Sequence, residues 1–159
     1  MALWTLGEQQ LIRPISNNNL LKFAQLQKEV EANDVVKYLG FEFYQELKRN
    51  LSTYTTLLNG GSYTEKGYTY TFSGLKYVLA NLLYARYVRE SSYEDTFSGL
   101  VRHAADGVER ISIAELRNQE DNYKEIAGTH WDECLKYLCT LDLVWFPQQQ
   151  KINKKLGWL

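Results

Sequence analysis

The sequence predicts a mainly α-helical fold, a helical bundle of about four helices with a short β-hairpin insertion and extended terminal arms. Three observations predict it. Only two prolines occur, Pro14 and Pro147, and the chain between them is left free of the residue that breaks helices. Apolar residues recur there at three- and four-residue steps over long stretches. Residues 62–72 alternate instead with the two-residue period of a strand. With 159 residues, 45% apolar and 23% charged, the chain has the size and composition of one globular domain. That domain divides into an N-terminal arm, 1–16, a helical body, 17–147, and a C-terminal arm, 148–159.

Taken in order, Ser16 and the asparagines at 17 to 19 offer capping oxygens ahead of Leu20, Phe23, Ala24, Leu26 and Val30, the apolar face of a first helix. Asn33 and Asp34 predict a break or a fresh cap before Val35, Val36, Tyr38 and Leu39, and Gly40 closes that turn. A second helix opens at Phe41 and carries Phe43, Tyr44, Leu47, Leu51, Tyr54 and Leu58 to a stop at Asn59-Gly60-Gly61. The hairpin follows, with Glu65-Lys66-Gly67 as its turn and Tyr68, Tyr70 and Phe72 on one face. A hairpin by itself is barely stable in water, so it must rest on the helices, on another strand or on another chain.

Ser73 caps the next helix, which is apolar nearly all round from Leu75 to Val88 and therefore central. A link through Gly99 and Gly107 holds a short helix around Leu100 to Ala105. Ser112 and Glu115 form a capping box for the last and longest helix. Its apolar and small residues at 113, 116, 123, 127, 130 or 131, 134, 137 or 138 and 141 keep a near-heptad spacing over about 30 residues. Gly128 weakens it, and Glu120 on the seam favours packing against the other helices over a coiled coil.

The charge pattern and reactive residues exclude more than they indicate. Eighteen basic and 19 acidic side chains leave a formal charge of -1, too little to gather nucleic acid or an anionic membrane by a global field. Cys134 and Cys139 lie about 140° apart on one helix and read as small buried residues that cannot bridge. The first residues lack the basic flank and apolar stretch of a secretion signal, and no run approaches the roughly 18 apolar residues of a membrane span. The expectation is a soluble protein made in a cytoplasm.

The two histidines, His103 and His130, belong to no nucleophile motif, and His130 with Cys134 supplies at most two zinc ligands. Glu115, Glu120, Asp121 and Glu125 are interleaved with Arg117 and Lys124, as on a solvated helix face. Gly60-Gly61 lacks the downstream lysine of a phosphate loop. No catalytic residue, cofactor or metal is expected. Twelve tyrosines and four tryptophans point elsewhere, because such rings suit surfaces that are apolar with one wet edge. Candidate contact residues are Tyr63, Tyr68, Tyr70 and Phe72 on the hairpin, read as core, as a protein interface or as a base-stacking platform. In the C-terminal arm they are Lys151, Lys154, Lys155 and Trp158, read as a solvated terminus or as an arm docking on a neighbour. The balance favours an assembly protein; the alternative is a small nucleic-acid-binding protein using the tyrosine hairpin and the basic tail.

An ordered set of short motifs runs through the body: Ala24-Gln25, Val36-Lys37-Tyr38-Leu39-Gly40, Glu42-Phe43-Tyr44 with Leu47, Leu57-Leu58-Asn59-Gly60-Gly61-Ser62-Tyr63, Ser73-Gly74-Leu75-Lys76, Tyr84-Ala85-Arg86-Tyr87 and Thr96-Phe97-Ser98-Gly99-Leu100-Val101. In this order, and with a long final helix leading to Phe146-Pro147, the chain resembles the small head-tail connector proteins of tailed bacteriophages. The likeness is to those of phages of Bacteroides-type hosts, including the ring proteins of crAss-like phages, over about residues 20 to 147. The resemblance implies a virion protein made in a bacterial cytoplasm. It further implies a self-assembled ring, commonly twelvefold, between the portal protein and adjoining neck or tail proteins, with double-stranded DNA passing through its lumen without sequence-specific binding. It also implies a mostly helical domain with a protruding hairpin or loop; no membrane partner, cofactor or catalysis is expected from the residues themselves.

Overall fold

The computed structural model describes residues 2–15, 20–91, 94–96, 99–101 and 112–141. The expected mainly helical fold with one aromatic hairpin is what these residues form. Its centre is helix α6 (Leu75–Ser91), in which Leu75, Val78, Leu79, Ala80, Leu82, Leu83, Ala85 and Val88 are all buried. A helix that is apolar nearly all round must be covered on every side. One side is covered by α7 (Ile113–Thr140), whose Ala127, Trp131, Leu135 and Leu138 join the same core. Contacts pair Tyr77 with His130, Tyr84 with Tyr123 and Arg89 with Glu120, so the two helices run antiparallel.

The Ser112–Glu115 capping box is formed, and α7 continues unbroken through Gly128. Glu120, expected on a solvated face, is instead buried, and its carboxylate accepts hydrogen bonds from Lys124 at 2.6 Å and Arg89 at 3.4 Å. It stands one heptad before Ala127 and two before Cys134, so the seam overrode the charge pattern. The cysteines part company for the same reason. Cys134 is in the core, where burial pushes its thiol up to about 12, whereas Cys139, on another face of the helix, is exposed.

The expected break at Asn33 and Asp34 is not a break. Helix α2 (Leu20–Glu29) passes through a π-helical segment, Val30–Val35, directly into α3 (Val36–Leu39). Phe23, Leu26, Val30, Val35 and Leu39 are buried along it, and the five-residue step from Val30 to Val35 is what a wider turn absorbs while keeping the stripe in phase. Gly40, at φ 78°, ends the run, and α4 (Phe41–Arg49) begins at once. The helix expected from Phe41 to Leu58 divides: α4 stops at Asn50, whose side chain donates to Glu46, and α5 (Thr55–Asn59) resumes after a turn. The stripe survives the division, with Phe43, Tyr44, Leu47, Tyr54, Leu57 and Leu58 all buried.

Residues 3–15, expected within an N-terminal arm, are folded onto the body. A second capping box, Thr5 with Glu8, opens α1 (Leu6–Ile12). Leu3 and Trp4 are buried, and the fully buried Gln9 accepts from the Trp4 indole while donating to the carbonyls of Arg13 and Ala80. Glu31, also buried, accepts from the Leu3 backbone N–H at 2.8 Å, the Tyr44 hydroxyl and Lys48. Every buried polar group in this joint has partners, which is the condition for a polar network to hold a segment in place.

Strands β1 (Gly61–Glu65) and β2 (Tyr68–Phe72) form the hairpin, antiparallel with Gly61 opposite Phe72 and Glu65 opposite Tyr68. The two-residue turn Lys66-Gly67 has positive φ at both positions, 51° and 83°, the twist that suits a tight hairpin. A second small pair, β3 (Glu94–Thr96) with β4 (Gly99–Val101), occupies the start of the link, so residues 100–101 are strand where a helix was expected; residues 102–105 lie outside the described residues.

The neck of the aromatic hairpin is a crossing of two backbones. Gly60 and Gly74 both have positive φ, and a Cβ on Gly74 would lie 2.1 Å from the Gly60 nitrogen and 2.7 Å from the Leu58 carbonyl oxygen. Gly67 shares the positive φ, but open space surrounds it. We therefore expect Gly74→Ala to destabilise the protein by at least about 2 kcal/mol and Gly67→Ala by only about 1 kcal/mol, measured by urea denaturation. Equal costs at the two positions would show that the crossing is not a tight constraint.

Candidate functional site: the aromatic hairpin

The hairpin has two chemically distinct faces because its pairing alternates. One carries Ser62 opposite Thr71 and Thr64 opposite Thr69, all exposed. The other carries Gly61 opposite Phe72, Tyr63 opposite Tyr70 and Glu65 opposite Tyr68. On that face the rings form a ladder leading out of the core. Phe72 is buried, only 6% exposed, and stacks on Tyr137 of α7 at 4.6 Å between centroids. Tyr63 is half-buried and touches Phe72, Tyr137 and Tyr70, stacking on Tyr70 at 5.4 Å. Tyr70 is 43% exposed and Tyr68, at the tip, 70%.

Burial, and next the nearby Glu65 carboxylate, push the Tyr63 phenol above its usual range, so it remains a neutral hydroxyl at any physiological pH. The rungs thus change character along the strand. Phe72 is spent on the chain's own packing, Tyr63 bridges hairpin and helix, and Tyr70 with Tyr68 offers ring faces outward. Of the candidate residues in the C-terminal arm, Lys151, Lys154, Lys155 and Trp158, all lie outside the described residues, as does His103.

His130 is half-buried, packed edge-on against Tyr77 and hydrogen-bonded through Nδ1 to Glu133 at 2.9 Å. Among the described residues no group of three His, Cys, Asp or Glu side chains is placed to hold a metal ion, and no helix is long and apolar enough to cross a membrane.

At the foot of the hairpin lies a feature that periodicity could not reveal. A cavity of about 250 Å³ opens between α1, the neck and α6, walled by Leu11, Ile12, Asn59, Ser73 and Tyr77. On its lining Glu8 and Lys76 pair at 2.5 Å. Burial opposes ionisation of Glu8, but hydrogen bonds from Lys76 and Thr5 together outweigh it and hold the carboxyl below its usual range. Leu11 stands beside it 88% exposed. The cavity exists only because the N-terminal segment docks on the body, and the Thr5-x-x-Glu8 pattern was the one signal in the sequence that announced a helix there.

Residues 35–153 match the model of DUF6712, a family of unknown function. The matched span takes in α4, the neck glycines, the hairpin, α6 and α7, and leaves α1 and α2 outside. No curated protein and no solved structure matches the chain.

The ladder separates folding from contact. Replacing Tyr68 and Tyr70 together with serine should leave unfolding free energy within about 1 kcal/mol of the parent, whereas Phe72→Ala should cost about 3 kcal/mol. Urea unfolding of the two variants checks this, and a double-tyrosine variant as damaged as the phenylalanine one would place the outer rungs in the core.

Proposed function

We propose that this chain, which belongs to the DUF6712 family, is a structural virion protein, a head-tail connector or adaptor. Copies of it assemble into a ring that binds the portal protein, joins the adjoining neck or tail proteins and leaves a passage for double-stranded DNA. The observation that supports this reading is the outer half of the hairpin. Its tyrosines Tyr70 and Tyr68 project past the last ring the body covers, on a two-stranded ribbon whose other face is exposed as well. A ribbon of that kind gains stability when a partner covers it, and tyrosine is a residue that protein interfaces favour.

Two of the motifs behind the resemblance to phage connectors also meet in space. Leu57 to Tyr63 and Ser73 to Lys76 meet at the neck, where Gly60 and Gly74 cross. What they specify is a way of presenting a hairpin, which is the kind of feature an assembly protein needs and a catalyst does not. A ring repeats one heterologous contact until it closes, so that a modest interface is multiplied by avidity. A formal charge of -1 suits a lumen that DNA must pass without adhering, since affinity for duplex DNA comes chiefly from neutralised phosphates.

Negative-stain electron microscopy of the purified protein, alone and mixed with its cognate portal, tests the reading. Ring-shaped particles, or rings seated on the portal, are expected, with little salt-sensitive DNA affinity. A monomer that ignores the portal and binds single-stranded DNA at sub-micromolar concentration, with affinity falling steeply as salt rises, would overturn it in favour of a nucleic-acid-binding protein.

A further inference from the structure

We propose that the cavity at the foot of the hairpin is the socket for the hairpin tip of a second copy of this chain, with Tyr68 as the inserted ring. The proposal rests on the self-assembly reading above and names the surface by which one copy receives the next.

Size is the first argument. A cavity of about 250 Å³ is below the ≈ 300 Å³ at which small-molecule pockets usually begin, and above the roughly 150 Å³ that suffices for a benzene ring. It suits one aromatic side chain. The walls agree: Leu11 and Ile12 offer apolar surface, while Asn59 and Ser73 offer hydrogen-bonding groups for the phenolic hydroxyl that a buried tyrosine needs to satisfy.

Charge is the second. Beside Tyr68 the tip carries an acid and a base, Glu65 and Lys66, and the socket carries an acid and a base, Glu8 and Lys76, already paired with each other. A ligand of net charge would have to compete with that pair. A ring flanked by a neutral doublet brings no net charge into the site and leaves the Glu8–Lys76 pair intact.

Geometry is the third, and it makes the contact intermolecular. From Ser73 to Tyr68 the strand spans five residues, about 17 Å at 3.4 Å per residue, so the tip is held away from its own socket for as long as the hairpin is paired. Tip and socket are different surfaces of one molecule. When the contact is passed on to a further copy and not returned by the same neighbour it is heterologous, and repeated so it generates a closed ring when the rotation allows.

The full-length protein carrying azidophenylalanine in place of Tyr68, which keeps a ring of similar size, is mixed with isotope-labelled parent protein and photolysed at concentrations where particles form. Mass spectrometry should find label-mixed adducts on peptides holding Leu11, Ile12 or Tyr77. Leu11→Arg in the labelled partner, a change at an exposed position, should reduce those adducts on the order of tenfold. If particles form but adducts map to another hairpin tip or to residues 148–159, the socket assignment is wrong while self-assembly stands. If no particles form at any concentration, with or without portal, both readings fall.

Discussion

Two backbones that meet at Gly60 and Gly74 set the terms for the rest of this molecule. Neither position leaves room for a Cβ, and both require a positive φ that side chains disfavour. Because the chain passes itself so closely there, α5 can end and α6 begin side by side, with the ribbon of residues 61–72 thrown outward between them. The crossing converts a loop into a directed projection. Everything proposed about contact between copies depends on that direction being fixed, since a hairpin on a slack neck would lose, in ordering entropy, much of what its rings gain by burial.

The ladder of rings carries the direction outward. Phe72 and Tyr137 stack in the core, Tyr63 lies across both, and Tyr70 stacks on Tyr63 from outside. Exposure rises along the same path, from the buried Phe72 through Tyr70 to Tyr68 at the tip. On the opposite side of the neck the N-terminal segment completes the arrangement. Trp4, Gln9 and Glu31 fasten α1 to α6, α4 and the π-helical segment, and α1 then supplies a wall of the cavity at the hairpin's foot. The matched family span begins at Val35, after this segment. The hairpin and its neck thus lie within the matched span, and the wall provided by α1 lies outside it.

Much of this was legible from residue order, and the exceptions have physical causes. The all-round apolar pattern of α6, the Ser112–Glu115 cap of α7 and the alternation of residues 68–72 each describe one element by its own period, and each is found as expected. What failed concerned competition between signals. Asn33 and Asp34 favour breaks locally, yet a π-helical turn kept Val30 and Val35 on one stripe and the helix ran on. Glu120 sat in an acidic stretch and on the apolar seam at once, and the seam prevailed because Lys124 and Arg89 could neutralise it. Thr5 and Glu8 carried the same capping grammar as Ser112 and Glu115, but before so short an apolar run that only the buried Trp4 and Gln9 give the helix its reason to form. The hairpin rings were readable as a set. That Phe72 belongs to the core and Tyr68 to the surface was not, because alternation assigns a face and says nothing about how far along a strand the body reaches. The cavity, formed by three segments distant in sequence, left no periodic trace at all.

Hydrogen exchange at the amides of residues 61–72, followed as protein concentration is raised, tests the central claim most directly. If the outer ribbon is ordered by a neighbouring copy, amides near the tip exchange rapidly in dilute protein and slow markedly as particles form, while those of α6 are protected throughout. Exchange near the tip that stays the same across that range, with particles present, would contradict the account.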